Sequence, residues 1–118
     1  MCLVISAPFF VKMFIHNVSF IIDPRKRDEF LRWVSPRARD AAGDLPSRLS
    51  VMRQAGGEDA KNAQALSIAF QAEFNTMTQV VEWVESELNP LIAEFEKRFA
   101  PEGMAFTSIF ETVEYGLI

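Results

Sequence analysis

Cysteine and histidine are all but missing from this 118-residue chain, which holds only Cys2 and His16. A single cysteine cannot close an internal disulfide, and the pair falls short of the three or four such ligands that a zinc site needs. The chain is therefore read as free of metal and cofactor, with nothing tying it to an oxidising compartment, and a cytoplasmic location is expected. An excess of positive charge is lacking as well: 12 Lys and Arg stand against 16 Asp and Glu, a net charge of −4. That is the wrong sign for a general binder of phosphate backbones, so no nucleic-acid partner is expected. Nucleophile-elbow, phosphate-loop and dinucleotide patterns are absent, and Gly56-Gly57 is a turn signal only. What the chain has in quantity is hydrophobic residues, 49% against 24% charged, which describes one globular domain with a modest core.

The apolar run from Met1 to Ile22 resembles a membrane span in hydropathy alone. Pro8 interrupts it, and Lys12, His16, Asn17 and Ser19 would sit in or near hydrocarbon, so no span is expected. A secretory signal fits poorly, since no basic residue precedes the run and no cleavage site follows it. The expectation is an N-terminal extension over residues 1–12, from an early start, and a single domain over 13–118. An extra edge strand or a docking peptide is the functional alternative for the extension.

Met13 to Asp23, MFIHNVSFIID, organises the rest. Phe14, His16, Val18, Phe20 and Ile22 alternate with Ile15, Asn17, Ser19 and Ile21, the period of a strand. Little polarity on either side places that strand in the middle of a sheet. Asp23-Pro24 then opens a helix, as N-cap and first helical residue. Phe30, Leu31, Val34, Ala38, Ala41 and Ala42 form its apolar stripe, and Ser35-Pro36 predicts a kink or restart within it. Arg25, Lys26 and Arg27 read as a solvated first turn. Strands are expected over Leu45–Ala55 and Ala65–Phe74, joined by a polar loop at Gly56–Asn62. Thr76 and Gln79 resemble a capping box before a second helix whose stripe includes Val80, Val84, Leu88, Leu91, Phe95 and Phe99. Its glutamates are read as a wet face, and Asn89-Pro90 predicts a bend or a split. A final strand is expected over Met104–Tyr115, with Met104, Phe106, Ser108 and Phe110 on one side.

Strand, helix, strand, strand, helix, strand is the α+β, ferredoxin-like βαββαβ order, in which two helices cover one face of a four-stranded antiparallel sheet. The other face is then left open. Its residues are apolar or small, and soluble monomers seldom display such patches. A homodimer through the open sheet face, of the dimeric α/β-barrel type, is the expected arrangement.

Five segments, MFIHNVSFIID, DEFLRW (Asp28–Trp33), ALSIAFQAEF (Ala65–Phe74), NPLIAEFEKRF (Asn89–Phe99) and MAFTSIFETVE (Met104–Glu114), resemble the domain of unknown function 4286 family of small bacterial proteins. The resemblance implies a ferredoxin-like fold and dimerisation, and it brings no established activity. Members of that family carry a histidine and proline shortly after the tryptophan, whereas VSPRARDAA follows Trp33, so no role of that histidine carries over.

His16 is the one side chain whose ordinary pKa lies near neutrality. It is the candidate general base, and with Asn17, Trp33 and Arg53 it makes up the candidate ligand-binding set. The plainer reading of each is structural: a core or interface histidine, an asparagine bonding across a dimer, a core tryptophan, a solvated arginine. Two functional classes follow. One is a binding or structural module that holds a small apolar ligand or a partner. The other is a cofactor-independent monooxygenase- or isomerase-like enzyme using His16 on a small apolar or aromatic molecule. The second rests on fold analogy alone, and the first is preferred because no second acid or base clusters with His16.

Overall fold

The computed structural model describes residues 12–52 and 66–113. Within them, four strands and two helical rods alternate in the expected order. Strand β1 (Phe14–Ile22) leads through a single tight helical turn, Pro24–Lys26, into helix α1 (Arg27–Ala42). Strands β2 (Ser47–Met52) and β3 (Leu66–Phe74) follow. Helices α2 (Met77–Trp83) and α3 (Asn89–Phe99) are joined without a break by a π-helical turn, Val84–Leu88, and strand β4 (Met104–Glu111) closes the chain. The sheet order is β2-β3-β1-β4 with every neighbouring pair antiparallel, which is the ferredoxin-like topology.

Register shows how the alternating residues are used. Phe14, His16, Val18, Phe20 and Ile22 of β1 align with Phe74, Ala72, Phe70, Ile68 and Leu66 of β3 on the side that the helices cover. Phe20 there meets Phe30 of α1 at 5.3 Å and Phe95 of α3 at 4.8 Å between ring centroids, and Phe30, Phe95 and Phe99 pack together behind them. The small residues Ala38, Ala41 and Ala42 let α1 approach closely, and Trp83 reaches across from α2 to donate its Nε1–H to the Ala41 carbonyl at 2.8 Å. That carbonyl lies in the last turn of α1, where the helix supplies no partner of its own.

Local signals set most of the boundaries. The Asp23 carboxylate accepts from the Arg25 N–H at 2.9 Å and pairs with its guanidinium at 2.6 Å, so the first charge of the basic turn is paired at its own cap. These bonds hold the Asp23 carboxyl down at a pKa of about 2. Thr76 and Gln79 form a reciprocal capping box, at 3.1 and 3.2 Å. The expected disturbance at Asn89-Pro90 takes the form of the wide turn over Val84–Leu88.

The expected restart at Ser35-Pro36 does not occur, because α1 runs through Pro36 as one helix. Pro36 and Arg32, whose carbonyl loses its bond, both lie on the exposed side, so water can serve that carbonyl and the helix needs no restart. Strand β2 begins at Ser47, two residues after the expected Leu45, and β4 ends at Glu111. Residues 1–11, the loop Gly56–Asn62, Arg53 and Tyr115 lie outside the described residues.

Candidate functional site

The structure separates the candidates that the sequence put together. His16 points to the helix side of β1, opposite Ala72 and Ile109, and is only 2% exposed. Trp83 stands over it edge-on at 5.6 Å and itself packs on Phe70 and Phe74. Nδ1 of His16 is buried without a hydrogen-bond partner, and burial lowers the pKa of the imidazole. Trp33 belongs to another cluster, among Phe30, Phe95 and Phe99, with the Arg37 guanidinium 4.8 Å over its ring. Asn17 is on the opposite side of the sheet from His16, and its amide donates to Ser19 Oγ at 3.1 Å. Arg53 is outside the described residues. The His16 ring is buried between the sheet and Trp83, and it lines none of the clefts described below.

The side of the sheet that carries Asn17 lies away from the described helices. Register aligns four cross-strand rows there. Glu73, Ile15 and Phe110 make the first, and Arg48, Gln71, Asn17 and Ser108 the second. Ser50, Ala69, Ser19 and Phe106 make the third, and Met52, Ser67, Ile21 and Met104 the fourth. No described helix or strand covers them. Met52 is 46% exposed, Met104 50%, Phe106 55% and Phe110 56%. Arg48 and Glu73 are the only charged residues in these rows, and both sit at the β2–β3 corner. With nine residues in β1 and four strands, the face measures roughly 30 by 19 Å, on the order of 600 Å².

Two clefts among the described residues lie near one end of the sheet. One of about 460 Å³ is lined by Met13, Leu45, Pro46, Glu73, Phe74 and Gln79, among others, at the end of the sheet. A neighbouring one of about 420 Å³ is lined by Ile15, Pro46, Ser47, Arg48, Gln71 and Glu73 at the charged corner of the open face. His16 lines neither. Sequence reasoning did place Met104, Phe106, Ser108 and Phe110 on one side of the last strand. The pattern of β4 alone has no signal for which side faces the helices, since Ala105, Thr107 and Ile109 on the other side are also uncharged. Its alignment with β1 supplies that answer.

No family model and no curated protein matches the chain. Solved structures do resemble it. A de novo designed protein, Foldit4, superposes with a TM-score of 0.52 at 7% identity, over 87% of this chain and 99% of the design. A putative PII-like signalling protein from Thermus thermophilus gives 0.47 at 11% identity, over 88% and 94% of the two chains. A dimeric ferredoxin-like protein from an uncultured marine organism gives 0.45 at 13%, over 89% and 98%. At such identities the likeness concerns the fold.

Proposed function

We propose that this chain is a small binding or structural module that works as a self-associating unit, its open sheet face buried against the same face of a second copy. The observation that carries the reading is the exposure of Phe106, Phe110, Met104 and Met52 on one uncovered surface with charge confined to a corner. The apolar part of this face, Ile15, Ile21, Met52, Met104, Phe106 and Phe110 set among small and uncharged polar residues, is costly to leave in water, and such patches are typical of interaction surfaces. Its area approaches the roughly 800 Å² per partner of a stable interface. A second copy is the partner that needs no further assumption: the face is nearly uncharged, so two of them meet without like-charge repulsion, and two-fold self-contacts are the commonest in soluble oligomers. Any ligand held between such faces is small and apolar, since Phe and Met side chains would line its site. His16 has no catalytic part in this reading. Kinship with the domain of unknown function 4286 family is proposed with it, on the packing patterns from Met13 to Glu114, and adds no activity.

Ser19 tests the reading, because it lies between Ala69 and Phe106 in the middle of the face and away from the sheet edges. The full chain at micromolar concentration is expected to scatter light as a multiple of its 13.4 kDa mass. Ser19→Arg, which places a charge at the centre, is expected to lower that multiple while leaving the circular dichroism spectrum intact. A monomeric wild type, or an assembly indifferent to Ser19→Arg, would overturn the proposal.

A further inference from the structure

Strand β4 offers a second surface, its outer edge. The Thr112 N–H donates to the Met13 carbonyl at 2.9 Å, continuing the β1–β4 register by one pair. The backbone groups of even-numbered residues in β4 therefore point at β1, and those of Ala105, Thr107, Ile109 and Glu111 point outward. Among the described residues no strand pairs with that outer side. Edge strands are ordinarily blunted by shortness, lysine, proline or a bulge, because an open row of N–H and C=O groups invites another strand. None of these devices is present in β4. It runs for eight residues, MAFTSIFE, in unbroken register with β1, and its single charge is at the last position. The opposite edge, β2, has six residues and carries Arg48. On the helix side Ile109 is 45% exposed, so the helices leave room beside the edge.

The middle of β4 is also symmetric in chemistry. Phe106, Thr107, Ser108, Ile109 and Phe110 run aromatic, β-branched, serine, β-branched, aromatic. We infer that two copies join through the outer edges of β4, antiparallel about a two-fold axis at Ser108, into one continuous eight-stranded sheet. In this register Thr107 exchanges backbone hydrogen bonds with the partner's Ile109. Phe106 lies opposite the partner's Phe110 in the non-hydrogen-bonded position, where side chains come closest. Both aromatic pairs form at once, and Ser108 meets its own symmetry mate. Sliding the register so that Thr107 meets itself would set Phe106 against serine and forgo both pairs. The contact goes beyond the face-to-face reading because it uses a different surface. The edge axis runs perpendicular to the sheet and the face axis parallel to it, so where the two axes intersect both contacts together close four copies in a D2 assembly.

A cysteine at position 108 distinguishes the edge from the face. Directly opposed, non-hydrogen-bonded residues have Cα atoms about 4.5 Å apart, within disulfide reach, whereas sheets packed face to face are about 10 Å apart. In a Cys2→Ser background, Ser108→Cys is expected to convert most of the full-length chain to a covalent dimer under mild oxidation, and Ser50→Cys on β2 to convert little. Ile109→Pro removes an outward N–H that β1 does not use, and is expected to halve the assembly mass with the fold retained. No covalent dimer from Ser108→Cys, or a mass unmoved by Ile109→Pro, overturns the edge contact. Loss of the crosslink in an assembly still sensitive to Ser19→Arg removes the edge contact alone. A crosslink in an assembly indifferent to Ser19→Arg supports the edge contact and removes the face contact alone.

Discussion

Burial lowers the pKa of His16 because an imidazolium between Trp83 and the sheet would lose its hydration without gaining an acceptor, Nδ1 having no partner. The sign of the consequence is fixed. With the native pKa below the 6.5 of an unfolded chain, the unfolded state binds more protons as acid is added. The stability from keeping this histidine neutral is thus complete above about pH 6.5 and is lost as pH falls from there through the lowered native value. Asp23, held at about 2 by Arg25, acts in a much more acidic window and does not obscure this one. The urea midpoint is expected to decline from about pH 6.5 to about pH 5 in the wild type and to be flatter over that interval in His16→Leu. An unchanged slope in the variant would show that other groups carry the acid sensitivity. The side of β1 that His16 occupies was legible in its alternation with Phe14 and Val18. Its companion Trp83, sixty-seven positions away, was not, because contact across a fold leaves no local period.

Gly103 shows how an element boundary can depend on a single missing atom. It follows α3 and opens β4, and its N–H donates to the Phe99 carbonyl at 2.8 Å. A Cβ there would stand 2.9 Å from Phe95 Cζ and 3.0 Å from both Phe99 Cβ and the Phe99 carbonyl oxygen. Gly103→Ala must therefore push aside the Phe95 ring and the last turn of α3 at Phe99, and is expected to cost about 1–3 kcal/mol, read as a lower urea midpoint at unchanged slope. A neutral result would mean that the Phe95–Phe99 stack yields more readily than its 5.4 Å spacing suggests. Elements like these were largely readable in advance: strand period, helix stripe, the Thr76–Gln79 box and Asp23-Pro24 are all local. Pro36 misled because its effect depends on which side of α1 it occupies. The position of the candidate surface was half legible, since β4 shows its apolar side only once pairing with β1 assigns it to the open face.

At the scale of the whole molecule, the sheet has two apolar faces and helices enough to cover one. Val18, Phe20, Ile68 and Phe70 are almost wholly buried under α1, α2 and α3, while Phe106 and Phe110 across the same sheet remain more than half exposed. The isolated chain thus leaves hydrophobic stabilisation unused, which association would recover in the folded state alone. Folding and association then become linked, and thermal stability depends on protein concentration. For a two-fold assembly of a domain this size, raising the concentration 100-fold is expected to lift the Tm by roughly 3–6 °C. Ser19→Arg keeps the helix-side core and weakens the face, so its melting temperature is expected to respond less to dilution and to converge on the wild-type value when both are dilute. Ile109→Pro acts the same way through the edge of β4. If all three proteins melt at temperatures independent of concentration, the uncovered surfaces are not recovered by self-association, and the partner that covers them is a different molecule.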